Sequence, residues 1–206
     1  MAKKTLLLIV LFVISISSYA QSASTCGLKT KKHLMSAEVN MQLAYATGLG
    51  NMNNFLSSNI AKFNNMRMLQ GGIGYQVNFF FLKDFAIYLR LNALRGNDFS
   101  ANDNIHAKMN TWEGLCGLEY YFFTKNNIQF STNIGFLDET IDFDYEKYNG
   151  YWCNYGISIG MVFWYKNSGI ALGYAPMIIK NEPKETMYNL PKMARNNISL
   201  TFRLRF

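Results

Sequence analysis

The sequence lacks any apolar stretch long enough to cross a membrane as a helix. The longest, residues 6–16, falls short of the about 20 residues that a helical span requires. Charge is scarce as well, at 16% Asp, Glu, Lys and Arg against roughly 25% in an average soluble domain. That under-supplies an ordinary solvated surface and argues against a disordered chain, which needs more charge and fewer aromatics. Proline and cysteine occur 3 times each, and neither a glycine period nor a sustained heptad is present. Collagen-like, coiled-coil and disulfide-scaffold architectures are thereby excluded. Three cysteines, Cys26, Cys116 and Cys153, also leave at least one unpaired within the chain.

What the 206 residues do contain is 50% hydrophobic residues and 16% aromatics, yet the mean hydropathy is −0.04. Apolar and polar residues must therefore be finely interleaved. The first twenty residues stand apart from this pattern. Lys3 and Lys4 form a positive start, residues 5–17 an apolar segment, and Ser18-Tyr19-Ala20 ends on a small residue with another two positions before it. Residues 1–20 read as a secretory signal peptide cleaved before Gln21, and residues 21–35 as a flexible periplasmic leader. Ala23-Ser24-Thr25 before Cys26 lacks the aliphatic residue of a lipoprotein signal. Removing Lys3 and Lys4 from the 20 Lys and Arg leaves about +5 against 13 Asp and Glu. So mild a basic balance indicates no nucleic-acid partner; anionic headgroups or lipopolysaccharide fit an exported chain better.

From residue 36 onward a period of two dominates, the spacing that sends successive strand side chains to opposite faces. Ile198, Leu200, Phe202, Leu204 and Phe206 alternate with Ser199, Thr201, Arg203 and Arg205. Seven further segments repeat the pattern, among them Ile73 to Phe81 against Gly72, Gly74, Gln76 and Asn78, and Tyr155 to Tyr165 against Asn154, Gly156, Ser158 and Gly160. Glycine and small polar residues make a poor solvated strand face but suit a narrow lumen. The expected fold is all-β, an eight-stranded antiparallel up-and-down transmembrane barrel over residues 36–206, apolar outside and polar inside.

The connections alternate between short and long. Leu82-Lys83-Asp84, Lys125-Asn126-Asn127 and Lys166-Asn167-Ser168 are tight, whereas 46–66, 96–107, 138–151 and 180–195 are read as long loops, the asymmetry of periplasmic turns against extracellular loops. Before each tight turn stands an aromatic block. Phe79 and Phe81, Tyr120 and Phe122, and Phe163 and Tyr165, with the terminal Phe206, are expected to form a periplasmic girdle.

Signal peptide, eight alternating segments, aromatic ends and the terminal Ile-Ser-Leu-Thr-Phe-Arg-Leu-Arg-Phe together resemble the small eight-stranded outer-membrane barrels of the OmpA/OmpX type. The resemblance implies a place in the cell outer membrane, contact with lipopolysaccharide, and recognition of the last strand by the outer-membrane insertion machinery. Ser-Tyr-Ala before Gln21, with abundant Asn, Lys and Tyr, is similar to exported proteins of the Bacteroidota in composition.

Little chemistry is legible. The two histidines, His33 and His106, have no outward serine partner in a His-x-Ser pair, and Ser100, Asp103 and His106 make only a conceivable triad in a polar loop. No metal or cofactor is expected; Asn97-Asp98 through Asp103 lacks the glycine and terminal glutamate of an EF-hand. The inward charges say more. Glu38 is expected to meet Arg203 and Arg205 where the barrel closes, Arg90 to face Glu119, and Glu113 to join them in a lumen plugged by ion pairs, since buried charges need partners.

Function then falls to the loops. Residues 138–150 carry Asp142, Phe143, Asp144 and Tyr145 as candidates for contact with a surface protein or glycan. The expectation is a non-enzymatic, porin-like outer-membrane protein serving envelope integrity or surface interaction. A lipid A acyltransferase or deacylase, and a secretion- or assembly-associated barrel, are the alternatives.

Overall fold

The computed structural model describes residues 34–47, 50–59, 68–98, 107–125, 127–144, 148–184, 189–193 and 196–206. The signal peptide, Cys26 and the rest of the leader up to His33, and Ser100, Asp103, His106, Tyr145 and Arg195 lie outside them.

The strands are β1 (Met35–Thr47), β2 (Met68–Leu82), β3 (Phe85–Asp98), β4 (Lys108–Lys125), β5 (Ile128–Asp144), β6 (Gly150–Tyr165), β7 (Ser168–Ala175), β8 (Met177–Ile179) and β9 (Asn196–Arg205), with one helix, α1 (Gly50–Asn59), between β1 and β2. β7 and β8 form a single wall element that breaks at Pro176, which has no N–H to give the ladder. The chain therefore makes a closed, all-antiparallel barrel of eight staves, with β1 pairing β9 and β5 pairing β6 to complete the ring.

The register fixes the geometry. Following partners sideways from Met35 gives Phe79, Ile87, Leu118, Ile134, Ile159, Tyr174, Ile198 and then Tyr45, so the row returns to β1 ten residues above its start. A stagger of that size tilts the strands by about 40°. At about 3.3 Å per residue, each step along a strand then gains about 2.5 Å of height.

Tight turns gather at one end. Asn127 and Lys166 adopt positive φ, 69° and 54°, in two of the hairpins. Backbone bonds knit the turns together: Lys166 N–H donates to Asn127 O at 2.7 Å and Arg205 N–H to Asn167 O at 2.8 Å. Above this end, Val39, Met41, Leu89, Leu91, Leu118, Ile134, Phe136, Ile159, Leu172 and Leu200 are all exposed on the outer face, while Asn40, Gln76, Asn78, Glu119, Asn133 and Arg203 are buried within. On β6 the apolar outer face runs from Tyr165 to Tyr155, about 25 Å of height, which matches the apolar band of membrane barrels.

Residues 180–195 lie between β8 and β9 as expected, whereas two of the stretches read as long loops, 96–107 and 138–151, are shorter because the strands continue into them. β5 runs on to Asp144 and β6 begins at Gly150, and residues 50–59 are helical.

Candidate functional site

The lumen is built in three levels. The lowest is ionic and arises because β1, β4 and β9 each bring a charged side chain inward at a similar height. Arg203 Nε donates to Glu38 Oε2 at 2.7 Å, and its Nη2 reaches Glu119 Oε2 at 2.9 Å. Arg205 Nε donates to Glu38 Oε1 at 3.1 Å. Further donors complete both carboxylates: Asn78 Nδ2 to Glu38 Oε1 at 2.7 Å, and Ser131 Oγ to Glu119 Oε1 at 2.6 Å. Trp164 packs against the group from the turn end, with the Arg205 and Arg203 guanidinium carbons 3.9 and 4.9 Å from its ring centroid.

Glu38, Arg203, Arg205 and Glu119 are thus brought together in one cluster. Arg90 is placed differently from expectation. Its Nε donates to Gln76 Oε1 at 2.6 Å, and Gln76 in turn donates to Glu119 Oε2 at 3.1 Å, so the amide stands between the two charges. Register sets Glu119 opposite Ala86 rather than Arg90, and the place beside it is taken by Arg203, whose guanidinium meets both carboxylates. Glu113 lies higher, accepting from Asn92 Nδ2 at 2.8 Å and Asn197 Nδ2 at 3.1 Å.

The uppermost level is apolar, which a uniformly polar lumen does not anticipate. Met68, Met109, Ile141, Phe143 and Trp152 point inward from the strand ends and pack with Met52 and Leu56 of α1 and with Leu190 and Met193. Trp152 Nε1 donates to Pro191 O at 3.1 Å and Asn154 Nδ2 to Met193 O at 2.9 Å, tying residues 189–193 to the inner face of β6. At about 1.5–3 kcal/mol for each large apolar side chain removed from water, this cap is a substantial core.

The two faces of a strand therefore exchange character along its length. On β5, Phe130, Ile134 and Phe136 face outward below, with Ser131 and Asn133 inward; above, Asp138, Asp142 and Asp144 are exposed while Leu137, Ile141 and Phe143 are buried. The crossover marks where the outer surface leaves hydrocarbon. Trp112 and Tyr155 lie at that level on β4 and β6. Of the residues expected in a binding loop, Asp142 and Asp144 stand on the exterior of β5, and Phe143 is a cap residue with no outward surface, its ring 6.3 Å from that of Trp152. The reason is that alternation continues through residues 138–144 with its sense reversed.

Around the turn end the aromatic residues form a belt. Ring centroids follow one another from Phe81 to Phe85 (6.1 Å), Tyr120 (4.5 Å), Phe122 (6.2 Å), Phe130 (6.2 Å) and Phe163 (5.1 Å). Phe79, Tyr165 and Phe206 are exposed at the same end. Phe85 and Phe130 were not singled out in the sequence; each follows a tight turn, and an aromatic just after such a turn is the signal that marks them.

The upper rim carries exposed charges: Lys108, Asp142, Asp144, Lys180, Lys184 and Lys192, the last 3.4 Å from Glu182. Among the described residues there is no histidine and no cluster of ligands for a metal ion. Cys116 and Cys153 are free thiols on the non-adjacent strands β4 and β6.

No family model matches the chain, and no curated protein matches its sequence. Solved structures do. Neisserial surface protein A superposes with a TM-score of 0.50 at 12% identity, over 84% of this chain and 97% of that one. The attachment invasion locus protein Ail of Yersinia pestis gives 0.44 at 12% over the same shares, and the N-terminal β-barrel domain of Pseudomonas aeruginosa OprF gives 0.43 at 11%, over 83% and 97%. The first of these shows the fold, that of a small outer-membrane β-barrel. None of the three supports the compositional resemblance to Bacteroidota proteins.

Proposed function

We propose that this is a non-enzymatic integral protein of the cell outer membrane, which does not conduct and which acts at the surface through the charged rim of its extramembrane wall. The tight turns and aromatic belt face the periplasm, and the cap faces outward. One observation carries the reading: the loop end of the lumen is filled by the apolar cap while Asp142, Asp144, Lys108 and Lys184 remain exposed around it. A mouth closed by packed side chains offers no route for solutes and no cleft for a lipid substrate, and charge around a rigid wall suits contact with a surface protein, a glycan or lipopolysaccharide. The C-terminal strand, apolar on alternate positions to Phe206, serves recognition by the insertion machinery.

Two measurements test this. In a background lacking Cys26, Cys116 and Cys153, whole cells carrying Asp144→Cys react with a membrane-impermeant maleimide, whereas Asn167→Cys reacts only after permeabilisation. Purified protein in planar bilayers gives no discrete conductance steps. Steps in the intact protein, or labelling of Asn167→Cys on whole cells, refute the reading. Charge reversal at Asp142 and Asp144, which leaves the barrel intact, then separates a surface-binding role from one in envelope integrity. Loss of partner capture with unchanged detergent resistance identifies the former.

A further inference from the structure

Charge is distributed unequally between the two ends of the barrel. The loop end mixes signs, with Asp142, Asp144 and Glu182 standing among Lys108, Lys184 and Lys192. At the turn end the exposed charged side chains are Lys83, Lys125 and Lys166, one in each of the three tight hairpins. Half-buried Asp84 is the one carboxylate side chain that faces them among the described residues, since Glu38 and Glu119 are enclosed with Arg203 and Arg205.

The three lysines share one level. Lys166 directly follows Tyr165, Lys83 lies two residues beyond Phe81, and Lys125 three beyond Phe122, so each stands just past the aromatic belt. Lys166 Nζ is 5.6 Å from the Tyr165 ring centroid, a contact that keeps its charge at the height of the belt. Lys166 also holds its place against a backbone preference. Its φ of 54° is a left-handed conformation that most side chains resist and that asparagine adopts more readily, as Asn127 does at 69° in the β4–β5 hairpin. Turn chemistry alone favours asparagine or glycine at 166, and the lysine there is accounted for by its charge.

The arrangement selects the ligand. The hairpins join β2 to β3, β4 to β5 and β6 to β7, every second seam of the eight staves, so successive lysines lie a quarter of the circumference apart. A single phosphate or a short acidic peptide does not reach groups on opposite sides of a barrel. A surface that surrounds the barrel does, and the wall next to these lysines is the lipid-facing band, whose aromatic girdle marks the level of the headgroups. Basic side chains at that level attract anionic headgroups over about a Debye length.

We infer that Lys83, Lys125 and Lys166 form a contact ring for anionic phospholipid, each drawing a headgroup of the phosphatidylglycerol class in the leaflet at the turn end. That this leaflet faces the periplasm rests on the orientation proposed above and is decided separately by the Asn167→Cys labelling; the lipid preference does not depend on it.

The test uses the full barrel in phosphatidylcholine vesicles. At low salt, spin-labelled phosphatidylglycerol associates with the barrel about threefold more strongly than spin-labelled phosphatidylcholine, and sodium chloride weakens the preference. Lys83→Gln, Lys125→Gln and Lys166→Gln combined remove most of it, whereas the three corresponding Lys→Arg changes preserve it. In nanodiscs of the unsubstituted protein, adding phosphatidylglycerol shifts the amide resonances of Lys83, Lys125 and Lys166 and leaves those of Lys108 and Lys184 in place. Equal association of the two lipids overturns the inference, as does a preference that survives the glutamine changes or shifts confined to the loop-end lysines. Retention on isolated cell-wall polymer that the glutamine changes abolish, without any lipid preference, assigns the lysines to that polymer and overturns it also. The resonance measurement needs no substitution and decides the matter even if the variants fail to fold.

Discussion

Glu38 and Arg203 meet across the seam where the first and last strands of the barrel join, with Arg203 Nε donating to Glu38 Oε2 at 2.7 Å and both side chains wholly buried. The pair thus bridges strands 165 residues apart in sequence. Its loss leaves charge in a space that water does not reach freely.

Substitution at this seam is expected to be asymmetric. Arg203→Met leaves Glu38 and Glu119 facing one another without the cation they share, and should cost about 3–5 kcal/mol, the range for stranding a buried charge. Glu38→Gln keeps acceptor geometry toward Arg203 and should cost less. Urea midpoints of the refolded barrel check the order; an equal or smaller loss for Arg203→Met contradicts the shared-cation arrangement.

The cap should be separable from the membrane-embedded wall. Leu56→Asp places a carboxylate among Met52, Met68 and Met109 and should dislodge α1. Limited proteolysis of the loop end is expected to accelerate at least tenfold, while the β-sheet circular dichroism and the heat-modifiable migration persist. Collapse of all three together would mean that the cap and wall fold as one unit.

Neighbouring positions on β5 should behave as opposites. Phe143→Ala empties part of the cap and should cost about 3–5 kcal/mol, within the range for buried aromatics. Asp142→Ala, one residue away on the outer face, should change stability by no more than about 0.5 kcal/mol. Comparing the two unfolding midpoints is sufficient.

Tryptophan fluorescence offers a check on depth. Trp112 is exposed on the outer face, whereas Trp152 and Trp164 are wholly buried within the barrel. Lipids brominated near the headgroup should quench Trp112 alone, and Trp112→Phe should abolish the effect. In parallel, Leu89→Arg in the middle of the apolar band should cost about 2–4 kcal/mol, against about 0–1 for Asn110→Arg above it. Quenching that survives Trp112→Phe would place the band elsewhere.

The wall of the barrel was legible because a lipid-facing strand writes its environment into every second residue, as in Ile198 to Phe206. The aromatic belt was legible for the same reason: Phe79, Tyr120 and Phe163 recur at one distance from a turn. What stayed hidden lies beyond the crossover. Asp138 to Asp144 keep the period of two, but with Ile141 and Phe143 now inward, so a rule tuned to apolar-outside strands reads a charged loop. Helix α1 was concealed because it offers the core only Met52, Leu56 and the half-buried Phe55 among its described side chains, and asparagine and serine make up most of the rest. The partner of Arg90 depended on strand register, which sets Gln76 of β2 beside it and Glu119 opposite Ala86, and strand parity does not encode register.

The ten-residue return of the partner row from Met35 to Tyr45 has a bearing on the surrounding lipid. A single transmembrane helix meets a thicker or thinner bilayer by leaning. Staves locked into a closed ring of fixed stagger cannot change their slope without breaking the row of hydrogen bonds at every seam. The bilayer must do the adjusting, and an apolar band of about 25 Å draws a thicker membrane inward around the protein. Each copy is then a local thin spot, and copies gathered together share one rim of deformed lipid.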